Sequence, residues 1–260
     1  MGAKTRLIYD NLWRKGGNAI ASTPPADPQH PVSDTQIDTL SMFWKSSDKA
    51  VETQLIPMDL GEGTININFI AILGHNIPEA EGQNITVEED NDSNFGSITA
   101  ETDAFTWAED NIFEFLATPL TERYIQVKIV RTGGGEFTTK PQIATILCGS
   151  YLEFNRRFAP EYEIGEEDFS EMEYSDSQVL FSQEKETLNI RRYSYQALND
   201  TSKDHILAMF KECKTIKAFA VCLDHTAPNT NTLWVKNAEL NSPVCRKGAW
   251  YWEMAIKEII

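Results

Sequence analysis

The chain has 260 residues, 41% apolar and 10% aromatic, with 39 acids against 23 Lys and Arg and a formal net charge of −16. This length holds one large domain or two modest ones, and the apolar content excludes wholesale disorder. The charge disfavours nonspecific nucleic-acid binding, which needs Lys and Arg against phosphates, and the longest apolar runs, Phe69–Leu73 and Ile143–Cys148, are too short to span a bilayer.

From the N-terminus, Met1–Asp10 lacks the apolar core of a secretory signal, and Arg6 stands where a myristoylation signal carries Ser or Thr, so a soluble protein is expected. Leu7-Ile-Tyr9 is a short apolar run. Pro24, Pro25, Pro28 and Pro31 then exclude regular helix or central strand. From about Leu55 to Tyr151 the pattern is one of repeated strands. Thr64–Ile70 alternates with period two after the Gly61-Glu-Gly63 turn. Asn84–Glu88 and Phe113–Leu116 follow, and Arg123–Val130 alternates through either Tyr124 or Ile125, Val127 and Ile129. Gly133-Gly-Gly135 joins that strand to Thr145–Cys148. Short strands with Gly, Pro and Asn between them indicate a sandwich or jelly roll.

Between Glu161 and Asp176 there are eight acids and no base. Such a run reads as a self-repelling extended linker, or as an acidic arm that docks on a basic neighbour or coordinates cations. The interspersed Tyr162, Ile164, Phe169, Met172 and Tyr174 suggest that it lies against something apolar. Beyond it, Thr187–Tyr195 alternates as a strand. Thr201 is the expected N-cap of a helix, with Asp204 reaching back and Ile206, Leu207, Phe210 and Cys213 on one stripe. Strands are expected at Ile216–Leu223, Leu233–Val235 and Ala249–Ile260. This order predicts a small α+β unit. The expected organisation is a β-sandwich over 1–155, an acidic connector over 156–178 and an α+β module over 179–260.

Few residues suggest chemistry. Cys148, Cys213, Cys222 and Cys245 form no Cys-x-x-Cys pair, and the four histidines are scattered, so no metal site and no cofactor are expected. Gly149-Ser150 lacks the second glycine of a nucleophile elbow. His75 and Asp59 could serve a serine only if the fold gathers them. Glu62, Glu88, Glu101, Glu109 and Glu114 are numerous enough for a carboxylate pair, though exposed charge on wet strand faces is the simpler reading. Trp107 is the best candidate for stacking on a sugar ring. Trp250 and Trp252 share a strand face suited to core or interface. Gly74-His75-Asn76 is a turn whose side chains bind either its own backbone or a ligand.

Trp44-Lys-Ser-Ser, Met58-Asp-Leu-Gly61 and Ile70-Ala-Ile-Leu-Gly-His-Asn76, followed by Arg123-Tyr-Ile-Gln-Val, resemble discoidin-like, galactose-binding-like jelly rolls, in a variant similar to tail-associated structural proteins of bacteriophages. The likeness covers roughly residues 5–155. Arg191-Arg-Tyr-Ser-Tyr195, Lys217–Asp224 and Trp252–Glu258 resemble, more loosely, tail-tube and distal-tail modules. The resemblance implies a mainly β, non-enzymatic protein of a virion (tail, neck or baseplate), assembled in the host cytoplasm. Its partners would be copies of itself in a ring and other virion proteins, with no nucleic acid or membrane. Tyr193, Tyr195, Trp250 and Trp252 would form the assembly interface. The alternative is a carbohydrate-binding module that meets a host-surface glycan through His75, Asn76 and Trp107.

Overall fold

A computed structural model describes residues 4–15, 18–63, 65–156, 158–167, 171–174, 180–183 and 188–258, with the backbone alone over 159–189. Two compact units result. One is Asp10–Tyr151 with Asp224–Thr232; the other joins Met1–Tyr9 to Leu152–Leu223 and Leu233–Ile260. Mainly β structure is present, as expected. Among the described residues no helix is long and apolar enough to cross a membrane.

β1 (Arg6–Ile8) opens the chain and belongs to the second unit. The first unit continues with α1 (Leu12–Lys15) and a 3-10 turn (Val32–Gln36). Its strands are β2 (Trp44–Lys45), β3 (Thr53–Asp59), β4 (Ile67–Leu73), β5 (Asn84–Asp90), β6 (Ala100–Glu101), β7 (Asn111–Leu120), β8 (Tyr124–Val130), β9 (Gln142–Ile143) and β10 (Thr145–Gly149). Antiparallel pairing gives a four-stranded sheet, β3-β8-β5-β6, and a three-stranded sheet, β10-β4-β7, with β2 and β9 as a further pair. Alternation decides what is buried. Ile125, Val127 and Ile129 of β8 point inward with Ile56 and Met58 of β3 and Ile85 and Val87 of β5. They form one core with Ile70, Ile72, Ile112, Ile146 and Cys148. Trp13 and Trp44 are fully buried there, and their indole N–H groups donate to Thr35 Oγ1 (2.9 Å) and Ser22 Oγ (3.2 Å). This is the expected jelly-roll sandwich.

The second unit contains β11 (Leu152–Glu153), β12 (Phe158–Glu167), β13 (Glu171–Tyr174), β14 (Leu180–Gln183), β15 (Leu188–Leu198), α2 (Asp200–Cys213), β16 (Phe219–Cys222), β17 (Thr232–Glu239), β18 (Val244–Arg246) and β19 (Ala249–Glu258); the short α3 (Pro228–Asn231) lies in the first unit. Its sheet runs β11-β1-β16-β17-β19-β15-β12, with β18 also on β19. β1 therefore leaves the expected 1–155 domain. Leu7 and Ile8 are fully buried, and Leu7 stands opposite Val221 of β16.

The expected connector, 156–178, contains paired strands: β12 on β15, and β13 on β14. The apolar contact expected of Tyr162, Ile164, Phe169, Met172 and Tyr174 concerns side chains outside the described residues. So do Met1 and Gly2 of the expected targeting region, and Ile259 and Ile260 of the expected last strand.

The cap of α2 is Asn199, not Thr201. Its side-chain oxygen accepts from Ser202 N (2.9 Å), so the helix starts one residue earlier than the expected cap. The buried stripe is Ser202, Ile206, Met209 and Cys213, while Leu207 is exposed.

Candidate functional site

Gly74 ends β4 with a φ of +62°, and a Cβ there would come within 2.8 Å of the Ala144 Cβ, so the turn requires glycine. The next residue, His75, is buried. Its ring Nδ1 accepts from Ile77 N (3.3 Å) and its Nε2–H donates to Ala108 O (2.9 Å), which fixes the neutral tautomer. Asn76 spans to the 139–142 loop, donating to Lys140 O (3.0 Å) and accepting from Gln142 N (2.8 Å). The Trp107 indole donates to Ile77 O (3.0 Å) and packs over Gly82, where a Cβ would lie 2.6 Å from the ring. The structure thus brings His75 and Trp107 together, with ring centroids 6.2 Å apart. The polar atoms of all three residues are engaged in holding loops to one another.

Burial holds the His75 ring below its ordinary pKa, against a smaller opposing contribution from the Ala108 carbonyl. The unfolded chain then takes up its proton first. This contribution to stability is complete above about pH 6.5 and is lost as pH falls toward the depressed folded value. His75→Gln, which keeps a donor, is expected to flatten that part of a melting-temperature-against-pH curve. An unchanged curve would contradict the assignment. His205 of α2 is also depressed by burial, so the comparison is variant against parent.

Three of the four residues expected at an assembly interface are buried within their own unit. Tyr193, Tyr195 and Trp252 are 1%, 1% and 4% exposed. They lie on the face of β15 and β19 that packs with Ile206, Met209 and Cys213 of α2. Trp250 is half-buried beside them; its indole donates to Asp200 Oδ1 (2.8 Å), and Lys203 Nζ lies 5.2 Å from the ring centroid. Helix α2 packs on this sheet face, so Tyr193, Tyr195 and Trp252 are part of the unit's own core.

The residues weighed for a serine nucleophile set are engaged elsewhere. Ser150 Oγ donates to Asn66 O (2.6 Å), and Asp59 is tied to Arg123 by two bonds of 2.7 and 2.8 Å. Burial pushes the Cys148 thiol up to about 12. Among the described residues there is no group of three or more His, Cys, Asp and Glu able to hold a metal.

A cleft does form on the flank of the sandwich. Residues 99–105 run along β5, with Thr102 N on Val87 O (2.9 Å) and Phe105 N on Ile85 O (2.8 Å); they make the edge of one sheet. β7 is the edge of the other. Between these edges lies a space of about 420 Å³. Phe105 and Leu120 are buried in its lining, while Phe115 and Leu116 are half-exposed and Ala117, Thr118 and Pro119 are exposed. Asn229 of α3 pins one end, donating to Thr106 O (3.0 Å) and accepting from Phe113 N (2.7 Å).

Four lining residues are acids and none is basic. Glu89 is saturated on one oxygen by Thr121 N (2.6 Å) and Glu122 N (2.8 Å). Glu101 is held below the carboxylate range by the Thr86 hydroxyl, with Lys128 adding to this. Burial raises Glu114, and Thr106 N reaches it only at 3.5 Å. Glu114 therefore keeps acceptor capacity for a ligand, and Asp103 is exposed at the mouth. Neither Glu114 nor Asn229 carries a motif. Both become visible only when β7 and residues 99–105 are placed side by side.

No family model and no curated protein matches the chain. Seventeen chains of solved structures match. One is chitosan-binding module 1 of a chitosanase/glucanase from Paenibacillus sp. IK-5 (18% identity, TM-score 0.41, 54% of this chain and 99% of that one). Another is the CpGH89CBM32-5 module of Clostridium perfringens, in complex with GalNAc-β-1,3-galactose (14%, 0.41, 54% and 100%). A third is the family 32 carbohydrate-binding module of C. perfringens NanJ, in complex with galactose (19%, 0.37, 57% and 99%).

Proposed function

We propose that this chain is a non-catalytic binding protein whose sandwich unit takes a saccharide into the flank cleft. The supporting observation is a cleft of about 420 Å³ whose lining places the buried Phe105 and the half-exposed Leu116 beside the acids Glu114 and Asp103. Sugars present a C–H face that packs on aromatic and aliphatic groups, and hydroxyls that donate strongly to carboxylates. The volume lies in the range of small-ligand sites. Four acids without a base in the lining favour neutral or cationic sugars and oppose sulfated or uronic ones. Both walls are strand edges of the sandwich, a firmer mount than loop tips.

A place in a virion rests on the sequence resemblance alone, and of the aromatic residues expected at its interface Tyr193, Tyr195 and Trp252 are buried while Trp250 is half-buried. One observation favours a second reading, hydrolysis: Glu114 is raised and Glu101 lowered within the same cleft, the divergence expected of an acid and its partner. The bonds from Thr86 and Lys128 engage Glu101, which favours binding over turnover.

Ala117→Trp tests the reading, because Ala117 is an exposed lining residue and its replacement fills the cleft without entering the core. Isothermal titration against neutral oligosaccharides is expected to show binding to the parent and at least ~10-fold weaker binding to the variant, the equivalent of about 1.4 kcal/mol. Equal binding would exclude the cleft. Release of new reducing ends would replace binding with catalysis.

A further inference from the structure

The face of β15 and β19 turned away from α2 holds a groove. Ser194 stands opposite Glu253, and Val244 opposite Tyr251, so these residues share that face. The alternating Tyr195, Trp252 and Met254 lie in the core. Both edges of β19 lose regular pairing at this point. Between the Tyr195–Trp252 and Leu198–Trp250 pairs, Gln196 and Ala197 stand against Tyr251 alone, and Ala197 has a φ of +56°. On the other edge, between the Glu239–Ala255 and Val244–Tyr251 pairs, residues 240–243 stand against 252–254. An extra residue on each flank bends the neighbouring strand and re-aims its side chains. The groove of about 510 Å³ found here is lined by Gln196, Asn241, Ser242, Arg246, Tyr251 and Glu253 among others.

The charges of this groove are not all paired. Glu239 accepts from Arg192 Nη2 (2.8 Å) and Asn241 Nδ2 (3.1 Å). Arg246 and Glu253 are exposed, and neither forms an ion pair among the described residues, with each other or elsewhere. The Arg246 guanidinium lies 5.8 Å from the centroid of the Tyr251 ring, which steadies its fork above the groove floor. Tyr251 and Glu253 are successive outward residues of β19, roughly 6.6 Å apart along the strand. An anion alone would meet Glu253 and Glu239, and a cation alone would meet Arg246. A ligand with both signs satisfies each, and an extended dipeptide spans about 7 Å. We propose that this groove binds a short peptide with free ends, its carboxylate on Arg246 and its ammonium on Glu253. The Gln196 amide and the Ser242 hydroxyl supply donors and acceptors for the peptide group between them. The proposal concerns the second unit alone and is independent of the saccharide reading.

The test uses the full chain and dialanine as probe, beside N-acetyl-dialanine, which lacks the ammonium, and dialanine amide, which lacks the carboxylate. Calorimetric titration is expected to show binding of dialanine and at least ~10-fold weaker binding of each blocked form, since each loses a charge-assisted bond. Glu253→Gln is expected to lose the preference for a free ammonium and keep that for a free carboxylate. Arg246→Gln is expected to do the converse. The retained preference shows that each variant is folded, as substitution of an exposed side chain predicts. Amide NMR shifts on adding dialanine to the parent are expected at 194–196, 241–246 and 251–253. Failure of dialanine to bind would overturn the proposal, as would equal binding of the blocked forms. So would both preferences surviving in both variants, both vanishing in either, or shifts confined to the flank cleft of the sandwich.

Discussion

Trp252→Ala is expected to destabilise the second unit by about 3–5 kcal/mol, the usual cost of emptying a buried aromatic site. Trp252 stacks on Tyr195 with centroids 5.5 Å apart, and meets Phe154 and Phe210 edge-on at 5.9 and 6.0 Å. Tyr195 stands opposite it across the β15–β19 ladder. The cavity would therefore open where strand pairing and helix packing coincide, with little room to collapse. Urea unfolding followed by near-ultraviolet circular dichroism is expected to show the loss. Tyr251→Ala, at a half-exposed neighbour with Arg246 over its ring, is expected to cost under ~1 kcal/mol. An assembly role for Trp252 predicts the reverse: a changed oligomer with stability intact.

Gly149→Ala is expected to cost about 3 kcal/mol, although it adds a single methyl group. A Cβ at Gly149 would lie 2.3 Å from the backbone oxygen of Asp10, and neither backbone can yield cheaply. Asn11 holds the crossing chain in place, donating to Ile146 O (3.3 Å) and accepting from Cys148 N (3.2 Å). Displacing it would break both bonds and unseat Trp13. The expected result is a lower urea midpoint for the sandwich transition with an unchanged slope. A midpoint within error of the parent would contradict this close crossing.

The sandwich was legible because its signal is local. Period-two alternation in β8 and the Gly61 and Gly133–Gly135 turns depend on neighbours in sequence, and Ile125, Val127 and Ile129 point where alternation places them. The shared face of Trp250 and Trp252 was also legible. Its destination was not, because which element covers a sheet face is a long-range matter, settled here by α2. Asn199, Thr201 and Ser202 are all residues that cap helices, and only backbone geometry chooses among them. The acidic segment reads as a linker by charge, yet β12 pairs with residues about twenty to forty positions away in β15, and β13 with residues six to twelve positions away in β14. The cleft was least legible. Phe105, Glu114 and Asn229 converge through sheet edges, and the conspicuous Gly74-His75-Asn76 and Trp107 drew attention to residues occupied in fastening loops.

The most direct test of saccharide binding in the flank cleft is a backbone-amide NMR titration of the full chain with a neutral oligosaccharide that binds. The account predicts shift changes centred on residues 101–105 and 114–118, absent in Ala117→Trp. Changes centred instead on Asn76 and 139–142, or persisting in that variant, would contradict it.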